Sequence, residues 1–264
     1  MNLKFIKEYW NNTAKKSNAN CLVSPTSRDP YLAKLERNFI ISGLKKNYNC
    51  LEIGCGDALN TIYYVDKVKS IIATDNSEKL LKIAKNKANI NKKNNLDFQN
   101  ISALDLPESF NNKFNCVISQ RCIINLGNWN NQKKTIRKIH KSLKKNGVFI
   151  LTEGFEDKLK NLNKLRQKFN LNKINVAKYN KFLTTDKFDN YIKKYFIIKK
   201  IHNYGSYIIL SHLFHPLIVS PSNPKHESKI NKISMDFQEN DILDKNLLKK
   251  YSYNLGYMLI KKNY

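Results

Sequence analysis

LEIGCGDALNT (residues 51–61) joins an apolar run to a G-x-G turn and then to polar, helix-compatible sequence, with an acid, Glu52, two residues ahead of the first glycine. Gly54 and Gly56 let the main chain approach a ligand more closely than a Cβ permits. The carboxyl end of a strand, at such a turn, is where open parallel sheets hold their ligands. The third glycine expected to follow this G-x-G is here Ala58. Asp75 closes the next apolar run about 20 residues on, the place from which a carboxylate accepts hydrogen bonds from ribose hydroxyls.

Outward from this turn, short apolar runs alternate with longer polar segments, the rhythm of βα units around a parallel sheet. The pattern predicts five strands: CLEIG (50–54), SIIATD (70–75), DFQNIS (97–102), FNCVIS (114–119) and GVFILTE (147–153). Helices are expected over SEKLLKIAKNKANIN (77–91) and WNNQKKTIRKIHKSLKKNG (129–147), the second with Ile136, Ile139 and Leu143 on one face and Gly147 as its stop. Ahead of the core, KFIKEYW and DPYLAKLERNFIISGL read as helices joined by a polar turn carrying Ser24, Pro25 and Asp29. After it come an amphipathic helix (156–169), a short helix in DKFDNYIKKY, and two further strands, YFIIKKIHNYG (195–205) and NLGYMLIKKN (254–263).

Composition narrows the classes. The chain has 264 residues, 41% hydrophobic, enough to bury a substantial core. No run reaches the roughly 18 apolar residues of a membrane span, and MNLKFIKEYW has no apolar leader, so a cytoplasmic protein is expected. Five cysteines, an odd number without a C-x-x-C pair, predict neither a disulfide framework nor a zinc site, and no metal is expected. The net charge of +26 would suit nucleic acid, yet only five of the 47 basic residues are arginine. The 38 Asn, and 28 Ile against 7 Val, match what an A/T-rich coding sequence imposes everywhere, which weakens that reading. An anionic small substrate remains compatible with the charge.

At Glu52, Gly54 and Gly56 the sequence resembles the class I S-adenosylmethionine-dependent methyltransferases, whose first motif is E/D-x-G-x-G; the likeness spans about residues 45–155. A dinucleotide-binding oxidoreductase is the rival, disfavoured by the acid within the motif and the short turn. The resemblance implies an α/β, Rossmann-like seven-stranded sheet, six strands parallel and one antiparallel, flanked by helices. It implies one domain: an N-terminal helical cap (1–45), a cofactor-binding core (46–155) and a C-terminal part (156–264) whose 206–253 insertion, between strands six and seven, becomes a lid. It places Gly54, Cys55 and Gly56 against the methionine half of S-adenosylmethionine, Asp75 on the ribose, and Asn76 with Ser102 and Ala103 beside the adenine. Asp105 falls three residues late for that role. Gln120 and Arg121 emerge from strand four toward the reacting centre, and Tyr9 with Trp10 either cover the cofactor or staple the first helix.

The fourth motif, FNCVISQRCIINLGNW, lacks the N/D-P-P-Y signature of enzymes that methylate exocyclic base amines. A narrower resemblance, carried by SQRCIINL, TEG, LNKLR and the HNYGSYIILS…HP segment, is to methyltransferases of bacterial capsule and lipopolysaccharide clusters, including those proposed to complete O-methyl phosphoramidate groups. It implies a small acceptor, anionic or nucleotide-linked, with an RNA-modifying methyltransferase as the alternative and a non-catalytic binding module as a third reading. Four of the five histidines fall between residues 202 and 226. If the acceptor is a sugar hydroxyl, His202, His215 or Glu153 is a candidate general base. If it is an anionic oxygen, Arg121 with Arg28 would orient it, and Gln120 or Tyr207 would share the contact. Glu153 is alternatively a partner for Arg166.

Overall fold

The computed structural model describes residues 2–15 and 26–263. Ser24 and Pro25 of the expected turn, and Cys21, lie outside the described residues. Seven strands form one sheet in the order β3-β2-β1-β4-β5-β7-β6. They are β1 (Asn49–Ile53), β2 (Ser70–Thr74), β3 (Leu96–Gln99), β4 (Phe114–Gln120), β5 (Leu143–Gly154), β6 (Phe196–Asn203) and β7 (Asn254–Lys261). β7 pairs antiparallel with both β5 and β6, so the other six strands run one way, the Rossmann-like methyltransferase arrangement. Central β1 and β4 are almost wholly buried, which explains why their sequences are continuous apolar runs rather than alternations.

Helices α1 (Leu3–Ala14) and α2 (Pro30–Ile41) precede the sheet; α3 (Thr61–Tyr64), α4 (Glu78–Ile90) and α5 (Trp129–Ser142) connect its first five strands. Asp29 caps α2, accepting the Leu32 amide at 3.0 Å with Pro30 at the first helical position, and Ser77 caps α4 in the same way. α5 ends five residues before Gly147. Leu143, expected to continue the helix, is fully buried as the first residue of β5, opposite Phe114, and the left-handed position is Asn146 (φ 58°) rather than the glycine. A hydrophobic residue at helical spacing served the strand, because packing against Phe114 outweighed one further helical turn.

α6 (Glu156–Lys168) and α7 (Thr185–Ile192) follow β5, and the connection from β6 to β7 is helical: α8 (Gly205–Ile209), a π turn (Leu210–Phe214), α9 (His215–Val219), α10 (Lys229–Glu239) and α11 (Lys245–Leu248). Tyr204, Tyr207, Ile208, Leu213 and Met235 of this connection pack with Leu32 and Leu35 of α2 and Leu159 and Leu162 of α6. The insertion therefore braces α2 and α6. No described helix is long and apolar enough to cross a membrane.

Candidate active site

The turn after β1 is built from left-handed backbone. Gly54 (φ 69°), Gly56 (φ 57°) and Ala58 (φ 59°) all lie in that region, so Ala58 adopts the conformation expected of the missing third glycine. The Gly56 amide donates to Asp75 Oδ2 at 2.9 Å and the Ser77 amide to Asp75 Oδ1 at 2.8 Å, tying the end of β2 to both the turn and the start of α4. Glu52 is buried, and its Oε2 has no hydrogen-bonding partner among the described residues. Burial, aided by the Asp75 charge, pushes its pKa up to about 8. Burial likewise raises that of Asp75, against the amides that favour its charged form.

These groups face one cavity of about 240 Å³. Every residue expected to bind the cofactor lines it: Glu52, Gly54, Cys55, Gly56, Asp75, Asn76, Ser102, Ala103 and Gln120, with Arg121 beside them. Asp105 does not; it is exposed, 3.6 Å from Lys134. Trp10 of α1 lines the cavity, its indole N–H donating to Asn125 Oδ1 at 3.1 Å, and Tyr9 stacks on Tyr179 at 4.1 Å. Sequence reasoning missed Lys7, Asn60, Cys122, Asn125, Tyr179 and Asn180, all on the wall. Asn125 stands within the quoted SQRCIINL run, whereas Tyr179 and Asn180 sit in a segment with neither periodicity nor motif.

Arg121 is not a free cation. Its backbone is left-handed (φ 53°), and its guanidinium grips Glu36 of α2 through Nε at 3.1 Å and Nη2 at 2.6 Å. Glu36 is fully buried and also accepts from Gln120 Nε2 at 3.0 Å and Asn254 Nδ2 at 2.7 Å. Burial alone would lower the Arg121 pKa, but the Glu36 charge and hydrogen bonds hold it well above the usual value. Gln120 completes the network, its Oε1 accepting from Asn60 Nδ2 and the Tyr64 hydroxyl, each at 2.8 Å.

Four residues expected to act on the acceptor are not brought to this cavity. Glu153 is fully enclosed, accepting from Ser119 Oγ at 3.0 Å and from the amides of Ile123 and Ile124 at 2.9 and 3.3 Å. Burial pushes its pKa up to about 8, yet it holds the short turn beneath the site and does not pair with Arg166, which donates to the carbonyls of Asn172 and His212. His202 stacks on Phe39 at 5.3 Å. His215 is buried with its Nδ1 2.7 Å from Asn231 Oδ1. The Tyr207 hydroxyl donates to Asp29, 2.7 and 2.9 Å from its two carboxylate oxygens. The expected lid contributes no residue to the cavity wall, because its apolar side chains are committed to α2 and α6.

Solved structures with this fold include methyltransferases. The putative methyltransferase of Haloferax volcanii, in complex with the Trm112 methyltransferase activator, gives a TM-score of 0.62 at 11% identity over 100% of this chain and 99% of that one. N-methyltransferase NodS from Bradyrhizobium japonicum WM9, with S-adenosyl-L-homocysteine, gives 0.58 at 9% identity, covering 98% and 99%. Phosphoethanolamine N-methyltransferase 1 of Haemonchus contortus, with phosphoethanolamine and S-adenosylhomocysteine, gives 0.62 at 11% identity, covering 99% of this chain and 49% of that one. At such identities the likeness is one of fold. A comparison with curated proteins finds no significant match. The profile of the methyltransferase domain family matches residues 44–208, well over half of the sequence, so the chain belongs to that family, and S-adenosylmethionine is its cofactor.

Proposed function

We propose that the chain is a cytoplasmic O-methyltransferase that acts on a small anionic acceptor, a carbohydrate or phosphoramidate intermediate of capsular or surface-polysaccharide assembly. The anionic acceptor rests on one observation. Among the described residues of the cavity wall the only acids are Glu52 and Asp75, both at the glycine turn, and there is no histidine. Residues 16–25, KSNANCLVSP, contain neither acid nor histidine. A neutral hydroxyl would need a base to take its proton as attack develops; an ionised oxygen needs only orientation. Exposed Arg28, which together with the Glu36-bound Arg121 acts on the Tyr179 phenol, supplies positive charge beside the wall. The polysaccharide context rests on the resemblance over residues 115–220.

The donor end fits S-adenosylmethionine. A Cβ at Gly54 would stand 2.6 Å from Cys122 Sγ, so only glycine leaves this cradle open for the methionine half. The unpartnered Glu52 oxygen would accept from its ammonium, Asp75 from its ribose hydroxyls, and Asn76, Ser102 and Ala103 would flank the adenine. Bound there, the sulfonium supplies an electrophilic methyl. The methyl would pass in line to the acceptor oxygen, the electron pair of the broken carbon–sulfur bond staying with sulfur. Opposite charges cancel, and no proton has to be removed.

Asp75→Ala should weaken S-adenosylhomocysteine binding by about 10- to 100-fold, the scale of a charge-assisted hydrogen-bond pair of roughly 1.5–3 kcal/mol. Calorimetry reads this directly, and unchanged affinity would remove Asp75 from the ribose. Glu52 must ionise to accept an ammonium, and its pKa in the empty site is about 8. Affinity for S-adenosylhomocysteine should therefore climb with pH toward that value and level off above it, with proton release at lower pH. In Glu52→Gln the climb should vanish; a wild-type profile flat below pH 8 would contradict the assignment.

The acceptor class is tested by turnover at saturating donor. With an anionic acceptor, kcat should stay level on the acid side of neutrality, and it should be indifferent to His202→Ala and His215→Asn. Efficient methylation of a neutral sugar hydroxyl, with kcat falling as a single group protonates, would overturn the proposal. Steeply salt-dependent RNA retention together with RNA methylation would favour the RNA-modifying alternative.

A further inference from the structure

The segment that leads into α2 crosses the glycine turn and is fastened to it by a residue of the turn itself. Asp57, next after Gly56, is buried and has no place on the cavity wall. Its Oδ1 accepts from the Thr26 hydroxyl at 3.0 Å, and its Oδ2 from Lys87 Nζ of α4 at 2.8 Å. The Lys87 side chain is itself largely buried, so a shielded cation aims the carboxylate and offsets its charge while the other oxygen holds Thr26. The Thr26 methyl lies over the turn, 3.2 Å from where a Cβ of Gly56 would stand, and Thr26 and Ser27 both line the cavity. At the far end of this segment Asp29 caps α2 and accepts from the Tyr207 hydroxyl. Residues 26–29 are thus held at both ends, by the turn at Thr26 and by two helices at Asp29.

Resting on the placement of the donor's methionine half at this turn, we propose that Asp57 is a positioning residue for the donor: through the Thr26 hydroxyl it holds Thr26 and Ser27 against the amino-acid end of the bound molecule. Gly54 and Gly56 have no side chains with which to enclose a ligand, so cover over them has to come from another part of the chain. Thr26 brings it. Asp57 acts only through that contact, unlike Glu52 and Asp75, the two acids that face the cavity. The amino-acid end leaves only as residues 26–28 lift from the turn, which requires the bond between Thr26 and Asp57 to break. That bond therefore governs how fast the donor departs more than how fast it arrives.

Two ligands separate this role from general damage: S-adenosylhomocysteine, and 5′-methylthioadenosine, which keeps the nucleoside and sulfur and lacks the amino-acid end. Each is titrated into the full chain by calorimetry, and dissociation is followed by stopped-flow displacement. Thr26→Val keeps the methyl and loses the hydroxyl. It should weaken S-adenosylhomocysteine by about tenfold, the scale of a hydrogen bond to a charged group, chiefly through faster dissociation. Affinity for methylthioadenosine should stay within about twofold of wild type. Thr26→Ser, which restores the hydroxyl, should recover most of the loss. Asp57→Ala should reproduce it, and adding Thr26→Val in that background should cost nothing more. If Asp57→Ala folds too weakly to titrate, Asp57→Leu combined with Lys87→Met removes both charges and completes the same cycle. Unchanged S-adenosylhomocysteine affinity in Thr26→Val, equal losses for both ligands, or additive losses in the double variant would overturn the inference while leaving the donor site as it stands. If the wild type binds the two ligands equally, the turn does not hold the methionine half, and the placement on which this inference rests fails with it.

Discussion

Glu36→Ala is expected to lower stability by about 3–5 kcal/mol, the range for breaking one side of a buried ion pair. The carboxylate has no solvent exposure and accepts from both Arg121 nitrogens, Gln120 and Asn254. Removing it leaves two amides and a guanidinium without their acceptor, although the Arg121 side chain, 29% exposed on the cavity wall, can turn to water, which favours the lower end of that range. At about 2–4 °C per kcal/mol for a chain of this size, the melting temperature should fall by roughly 6–20 °C. Glu36→Gln, which keeps the shape and loses the charge, should fall between the two. Urea denaturation with an unchanged slope would report the loss cleanly, and a shift under about 1 kcal/mol would show that the pair is hydrated and relaxed rather than enclosed. The same geometry qualifies kinetic experiments on Arg121: Arg121→Met strands a buried carboxylate, so its effect on turnover mixes acceptor contact with damage to the network beneath.

That pair shows where sequence reading stops. The glycine turn, Glu52 and Asp75 were legible because local rules write them: a strand, a turn that needs left-handed backbone, and an acid one βα unit later, joined by a hydrogen bond spanning 19 residues. Arg121 was legible as a residue at a strand's carboxyl end. Its partner was not, since Glu36 is 85 residues away on α2 and shares no pattern with it. The histidine cluster misled for the opposite reason. Closeness in sequence placed three rings on one connection and a fourth at the end of the strand before it, but burial decided where they point, and His215 went to Asn231 while His202 went to Phe39. Tyr179 and Asn180 carry no periodicity, because their position is fixed by main-chain bonds at Lys181 to Ile124 and Gln132. Such contacts leave no mark on side-chain choice.

Gly54→Ala should reduce S-adenosylhomocysteine affinity by about 30-fold or more, as two costs fall on the same residue. A Cβ in left-handed backbone costs about 1–2 kcal/mol, and overpacking a closed site costs about 1–3 kcal/mol. The dihedral alone is tolerable in this turn, because Ala58 already carries a Cβ at φ 59°. Space is the harder limit. The new Cβ would lie 2.6 Å from Cys122 Sγ and 2.7 Å from Cys122 Cβ, while one at Gly56 would meet only the Thr26 methyl, at 3.2 Å. Gly56→Ala should therefore be the milder change. Cys122→Gly removes both atoms that block Gly54, so combining it with Gly54→Ala should recover part of the lost affinity, a coupling of about 1 kcal/mol or more in a double-mutant cycle. Additive losses would trace the defect to backbone strain alone. Wild-type affinity in Gly54→Ala would mean that the turn moves aside at little cost, and that the closeness of Cys122 has no part in holding the methionine half of the donor.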